Sequence, residues 1–179
     1  MADLIRYQER IEWMGAEVLT LPEVWPARPR VVIVGINLSL DSVAAGHYFQ
    51  GKGARGRITM LVKAGLIELN EGERQSERAA LQAGVGFADL VRRPTRSSAD
   101  LPNSEIEYGK ALFESNVAAH EVPTVIAIYA PPVEALLGTK AKPGYQSLLN
   151  SWGARVFNLP RPYLKAELAA EVMATLNLE

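Results

Sequence analysis

The sequence predicts an α/β fold, a three-layer α/β/α sandwich around a short, mostly parallel four-stranded sheet. Three observations support this prediction. Short apolar runs rich in β-branched residues alternate along the chain with segments at helical spacing. These runs are apolar throughout, as strands covered on both faces require. The chain has 179 residues, 48% of them hydrophobic, which suits a single domain over residues 1–179.

Four apolar runs are the candidate strands. The strongest is 31–36 (VVIVGI), and 124–129 (TVIAIY) and the shorter 155–159 (RVFNL) are similar to it. Residues 85–91 (VGFADLV) form a weaker fourth candidate. A parallel sheet of these strands would collect their carboxyl ends at one edge, where ligand sites of open α/β sheets lie.

Helical patterns lie between and after these runs. The predicted helices are 58–64, 75–82, 105–119, one that Pro131 opens and Gly138 stops, one from Pro143 to near Gly153, and the C-terminal segment 164–176. Apolar residues at helical spacing between Leu4 and Val18 predict a helical extension over residues 1–20. The polar segment 92–103 is expected to form a surface loop.

Composition excludes several classes of function. The 19 basic and 20 acidic side chains give a net charge of −1, so no general field attracts anionic partners. The chain has no cysteine and two histidines, which excludes thiolate chemistry and argues against a metal site. We expect no cofactor. No apolar run resembles a signal peptide or a membrane span, so we expect a soluble, cytoplasmic monomer without a membrane partner.

A cluster of glycines at 46–56 (GHYFQGKGARG) raises the possibility of a nucleotide-phosphate loop. Gly51, Gly53 and Gly56 complete a G-x-G-x-x-G pattern, but the preceding strand ends near Ile36, ten residues before the first glycine of the cluster. A phosphate loop needs a strand directly before it and a helix directly after it. A nucleotide-dependent α/β enzyme is therefore the least favoured hypothesis, and the glycines serve either tight turns or contacts to a polyanion backbone.

Several motifs after residue 20 occur in a fixed order. A proline-bearing segment, 21–29, leads into the first strand, which ends in Gly35-Ile36-Asn37. Gly46, an aromatic Phe49 and the glycine turn follow, and then 84–95 (GVGFADLVRRPT). This series resembles the mismatch-specific uracil-DNA glycosylase and thymine-DNA glycosylase family. The resemblance implies a DNA glycosylase that hydrolyses the N-glycosidic bond of uracil or a related mispaired or damaged pyrimidine in double-stranded DNA.

The resemblance also implies roles for residues of the base pocket. Asn37 would position the nucleophilic water, because an amide can hold water through its oxygen and donate through its nitrogen. Phe49 would stack on the extruded base. Backbone groups around Gly35, Ile36 and Phe49 would bind the edge of the base.

Contacts to DNA are expected from two segments that differ partly from the family pattern. The residues assigned to DNA binding are Ser42, Lys52, Arg55, Arg57, Arg161, Pro162, Tyr163, Leu164 and Lys165. Leu38-Ser39 replaces the Pro-Gly that usually follows G-I-N, and 159–165 (LPRPYLK) replaces a segment of small polar residues. These departures leave an alternative open: a catalytically weak or inactive DNA-binding member of the same fold.

Overall fold

A mixed sheet of five strands forms the centre of the molecule, in the order β4-β3-β5-β7-β6. The computed structural model describes residues 4–51, 54–69, 76–147, 150–161 and 164–178, without the side chains of 54 and 55. The sheet strands are β3 (Val31–Ser39), β4 (Val85–Thr95), β5 (Thr124–Ala127), β6 (Gly144–Tyr145) and β7 (Arg155–Asn158). Neighbouring strands are parallel except β6, which runs antiparallel to β7.

Helices connect these strands along the chain. In the described residues they are α1 (Leu40–Ala45), α2 (Ala54–Lys63), α3 (Ser76–Gln82), α4 (Asn103–Ala119), α5 (Ala130–Leu137) and α6 (Ala166–Ala174), with a 3-10 turn at Ser98–Asp100. Gly138 ends α5 at a φ of 66°, so the predicted helix stop is confirmed. None of the described helices is both long and apolar enough to cross a lipid bilayer.

Apolar side chains cover both faces of the sheet. Val32 and Val34 of β3 belong to one buried cluster, together with Phe113 of α4 and Val133 of α5. The residues that alternate with them on β3 face a second cluster, which includes side chains of α2, α3 and α6. This alternation follows from the two-residue period of a strand. It explains why the sequence of β3 is apolar throughout.

The predicted α/β class is confirmed, whereas the predicted sheet of four strands is wrong. The fifth strand is β6, which has only two residues and lies at the sheet edge. We predicted a helix from Pro143 to near Gly153, but Gly144 and Tyr145 pair with β7 instead. Gly144 has a φ of 86°, a left-handed conformation that no α-helix contains.

The predicted N-terminal helix is also wrong, because the segment forms a β-hairpin. Strands β1 (Glu9–Trp13) and β2 (Ala16–Thr20) pair antiparallel in a separate two-stranded sheet. They are joined by Met14 and Gly15, which both have positive φ, as the favoured two-residue hairpin turns require. The hydroxyl of Thr20 donates a hydrogen bond to the carbonyl of Arg92, 2.7 Å away, and so links the hairpin to β4.

Strand β4 is longer than its sequence suggests. It is the longest strand of the sheet, and its last residues lie in the segment that we predicted as a surface loop, 92–103. That loop prediction is wrong for residues 92–95. The outer edge of β4 is covered by Val24, which exchanges two backbone hydrogen bonds with Phe87, at 2.8 and 2.9 Å. This contact pairs the backbone of Phe87 at an edge where its N–H and carbonyl would otherwise lack strand partners.

Candidate functional site

A cavity of about 350 Å³ lies where β3, β4 and the residues after β5 meet. Ile33, Gly35 and Asn37 line it from one face of β3, at successive alternate positions. Phe87 and Asp89 line it from β4. The volume is within the range of roughly 300–1,000 Å³ that is typical of small-molecule sites. The cavity is thus the structural candidate for the ligand site that the sequence predicts at this edge.

The amide of Asn37 is held by hydrogen bonds from its nitrogen. Nδ2 donates to the Thr95 hydroxyl oxygen at 2.8 Å and to the Leu38 carbonyl at 3.2 Å. Thr95 in turn donates its hydroxyl proton to the Ser97 carbonyl at 2.7 Å. Because that proton is committed, the Thr95 oxygen can only accept, so the amide nitrogen has to face it. Oδ1 of Asn37 makes no hydrogen bond within the described chain and is available to hold water.

An irregularity in the sheet brings Thr95 to Asn37. Asn37 pairs with Val91, but Ser39, two residues later, pairs with Thr95, four residues later on β4. β4 thus has two more residues than β3 over this stretch, which is the pattern of a β-bulge. β3 continues to Ser39, so Asn37 lies inside the strand, two residues before its end. We expected Asn37 to lie just beyond that end.

The loop after α1 presents Phe49 to the cavity. Gly46 ends α1 in the left-handed conformation, and a Cβ there would collide with the Ile5 carbonyl. Phe49 itself has a φ of 59°, which is uncommon for a residue with a bulky side chain. Its half-buried ring packs edge-on against Phe87, with centroids 5.1 Å apart, and lines the cavity. A cavity wall formed by an aromatic ring can stack on a planar ligand.

Two other predicted residues, Ile36 and Ser42, have different surroundings. The side chain of Ile36 packs in the cluster on the opposite face of the sheet. Its backbone N–H donates to the Tyr129 hydroxyl at 3.2 Å. Ser42 lines the cavity but is buried, and its oxygen accepts hydrogen bonds from Ser39 and from the backbone N–H of Gln50. Ser42 therefore holds the loop before Phe49.

The predicted cations whose side chains the structure describes do not converge on one place. Arg57 lines the cavity, donates to the Ile128 carbonyl and lies over the Tyr129 ring, 5.8 Å from its centroid. Arg161 and Lys165 are exposed and do not line the cavity.

Other predicted DNA contacts lie near Arg161 or outside the described residues. Leu164 is half-buried and donates its backbone N–H to the Arg161 carbonyl. β7 lies two strands from β3, so the end of β7 that leads into this segment is separated from β3 by roughly 10 Å across the sheet. Lys52, Pro162 and Tyr163 lie outside the described residues, as does the side chain of Arg55.

Sequence reasoning missed two polar residues of the cavity, Asp89 and Tyr129. The pKa of Asp89 is raised to about 7, mainly by burial and further by the charge of Glu23, against a lowering effect of Arg92. Burial also raises the pKa of Tyr129, to about 12. A single acid within an apolar strand was the only available signal for Asp89. The sequence contains no comparable signal for Tyr129.

No metal centre is evident in the described part of the chain, where no group of three or more His, Asp or Glu residues could hold an ion. No protein-family model matches the chain. The local chemistry of the cavity therefore has to support any functional conclusion. Among the described residues, that chemistry includes an oriented amide, an aromatic wall and a buried carboxyl.

Proposed function

We propose that this protein is a monofunctional DNA glycosylase with the three-layer fold of uracil-DNA glycosylases. It hydrolyses the N-glycosidic bond of uracil or a related mispaired pyrimidine in double-stranded DNA. One observation carries the proposal: Asn37 lines a cavity of suitable size, with its amide nitrogen fixed by Thr95 and its oxygen unpartnered in the described chain. Phe49 supplies an aromatic surface in the same cavity.

The proposed reaction begins with a nucleotide turned out of the duplex, its base in the cavity against Phe49. Oδ1 of Asn37 accepts a hydrogen bond from a water that faces C1′ of the sugar. The N-glycosidic bond breaks and its electron pair leaves with the base, while the water oxygen bonds to C1′. The proton that the water loses passes to the departing base or to solvent, because an amide is not a base. The contribution of Asn37 is orientation.

Phosphate contacts are expected from exposed cations at the ends of the sheet strands and in the segments that follow them. Arg161 and Lys165 are exposed, and Arg96 is exposed directly after Thr95, the residue that holds Asn37. Arg96 was not among the residues singled out from the sequence. With a net charge of −1, the affinity for DNA should depend on these exposed cations and weaken as salt increases.

Single-turnover excision from a duplex with a G·U mismatch tests the proposal. We expect Asn37→Ala to lower the rate by about 100-fold or more, because the water loses its orientation, without a change in duplex affinity. Asn103→Ala, an exposed asparagine at the start of α4, is the matched control and should keep the wild-type rate. Equal rates for wild type and Asn37→Ala would remove the role of Asn37.

A panel of substrates separates the proposal from its alternative. Duplexes carrying uracil, thymine, hypoxanthine or ethenocytosine should include at least one that the wild-type protein cleaves. Binding to these duplexes without cleavage of any of them would favour a DNA-binding protein of the same fold that has lost catalysis.

A further inference from the structure

The carboxyl group of Asp89 lies over the backbone of Gly35 on the floor of the cavity. The two residues are paired across β3 and β4. A Cβ at position 35 would occupy the place of one Asp89 oxygen, so the arrangement requires glycine. The next nearest side chain to that point, Ile128, would lie 3.8 Å away on the far side of β3. Asp89 therefore reaches from β4 over the backbone of the neighbouring strand β3.

Asn37 and Asp89 line the same cavity from different positions along the paired strands β3 and β4. Asn37 follows Gly35 by two residues on the same face of β3, which is roughly 7 Å along a strand. The amide therefore lies near the end of the strand, and the carboxyl lies one residue pair farther in. A planar ligand that reached the amide with one end could meet the carboxyl with its other end.

The carboxyl is enclosed but has no hydrogen-bond partner among the described residues. Asp89 is only 8% exposed. The charged and titratable groups around it are Glu23 before β3, Arg92 on β4, Tyr48 after α1, Arg57 on α2 and Tyr129 after β5. The Tyr129 hydroxyl oxygen accepts a hydrogen bond from the Ile36 N–H, and Arg57 donates one to the Ile128 carbonyl. An unpaired buried carboxylate is costly, so a neutral carboxylic acid is favoured there.

We propose that Asp89, in its protonated form, recognises the imide edge of the everted pyrimidine. Its O–H donates to a ring carbonyl of the base, and its other oxygen accepts from the adjacent ring N–H. A carboxylic acid presents one donor beside one acceptor, and uracil presents the complementary pair. This assignment rests on the proposed function, which provides the pyrimidine base as the ligand. It adds Asp89 as the residue that selects that base.

Ionisation would weaken this recognition. A carboxylate can only accept, so it keeps the contact with the ring N–H but faces the carbonyl oxygen of the base without a proton between them. Excision should therefore fall as pH rises through about 7, where Asp89 loses its proton. Asparagine at this position also offers a donor beside an acceptor, and it does not titrate in this range.

Single-turnover excision of uracil between about pH 5.5 and about pH 9 tests the assignment. The wild-type rate should fall by up to about tenfold per pH unit above the transition, while Asp89→Asn should show no such transition. The Asp89→Leu variant should excise uracil roughly tenfold to a hundredfold more slowly than wild type at low pH, because it loses about two hydrogen bonds to the base. Glu23→Gln should move the transition to lower pH, because it removes a neighbouring negative charge.

The controls separate this assignment from the proposed function. Glu107→Gln changes an exposed carboxylate on α4 and should leave the profile unchanged. If Asp89→Asn and wild type share one pH profile, the role of Asp89 is overturned while excision by Asn37 stands.

Binding of the free base tests Asp89 independently of catalysis. Calorimetry at about pH 6, where the carboxyl is neutral, should show binding of uracil but little binding of 3-methyluracil, which lacks the ring N–H donor. Equal binding of the two bases would overturn the assignment even if the protein excises no base. Absence of excision by every variant, with the two bases still distinguished, would overturn the proposed function and keep the recognition site.

Discussion

Two regions at the same edge of the sheet differ in how firmly their polar groups are held. At the end of β3 and β4, the amide of Asn37 is fixed by Thr95, and Asp89 is enclosed above Gly35. Between β7 and α6, Arg161 and Lys165 extend into solvent. Enclosed groups act through position and protonation, whereas exposed charges act through a screened field. Substitutions should therefore change stability and rate in the first region, and salt-dependent affinity in the second.

The largest expected effect in the enclosed region is a change of stability with pH. The unfolded chain holds the Asp89 proton with a pKa near 3.8, and the native protein holds it with a pKa of about 7. Between these values the native state binds more protons, so its stability falls as pH rises. Asp89→Asn should remove this loss, which is at most about 4 kcal/mol above pH 7.

Thermal unfolding at several pH values measures the effect of Asp89→Asn. The gain in Tm over wild type should be near zero at about pH 4 and should grow up to about pH 7. Glu107→Gln, on the exposed surface of α4, should show no comparable trend. A gain in Tm that did not depend on pH would mean that ionisation of the Asp89 carboxyl does not destabilise the native protein.

The next effect concerns the space above Gly35. Gly35→Ala places a methyl group where the Asp89 carboxyl lies, so one of the two has to move. We expect a loss of about 1–3 kcal/mol in the free energy of unfolding, as for other overpacked sites. Gly56→Ala is a matched control on α2, where a Cβ meets no atom within 4 Å, and denaturant titration should show an unchanged or higher stability.

A smaller effect is expected from the partner of the amide. Thr95→Val keeps the shape of the side chain but removes the acceptor of Asn37 Nδ2. Excision should slow by about fivefold to tenfold, corresponding to one hydrogen bond of about 1 kcal/mol. Thr175→Val removes a comparable hydroxyl bond at the end of α6 and should leave the rate unchanged.

The smallest effects are expected in the exposed region. Arg161→Gln combined with Lys165→Gln should weaken duplex binding severalfold and lower the salt dependence of affinity by about one to two units of slope. The rate at saturating protein should not change, because neither side chain lines the cavity. A fall in that rate without a fall in affinity would show that this segment acts on the reacting base, and the contrast between the regions would fail.

Local sequence was sufficient for most strands and for the edge of the sheet near which Asn37 lies. The run 31–36 is apolar and β-branched, so it forms a buried strand in almost any context, and its end marks the ligand edge of the sheet. The stop of α5 at Gly138 was equally local, since it depends on one left-handed residue.

The N-terminal segment shows where local pattern fails. Its apolar residues fit a helical period, but Leu4, Tyr7 and Met14 are all exposed. The turn at Met14 and Gly15 and the pairing of Ile11 with Val18 decide the structure instead. A short apolar pattern can fit both the helical period and the strand period. The element on which the segment packs then decides between helix and strand, and here that element is β4.

What the sequence by itself determined is the set of buried strands, and with it the edge at which Asn37 lies. Only the tertiary structure decided that Asp89, Tyr129 and Arg57 face the same cavity, and that Arg161 does not. The reason is that strand periodicity is a local property, whereas register, desolvation and pKa depend on residues distant in sequence that meet only after folding.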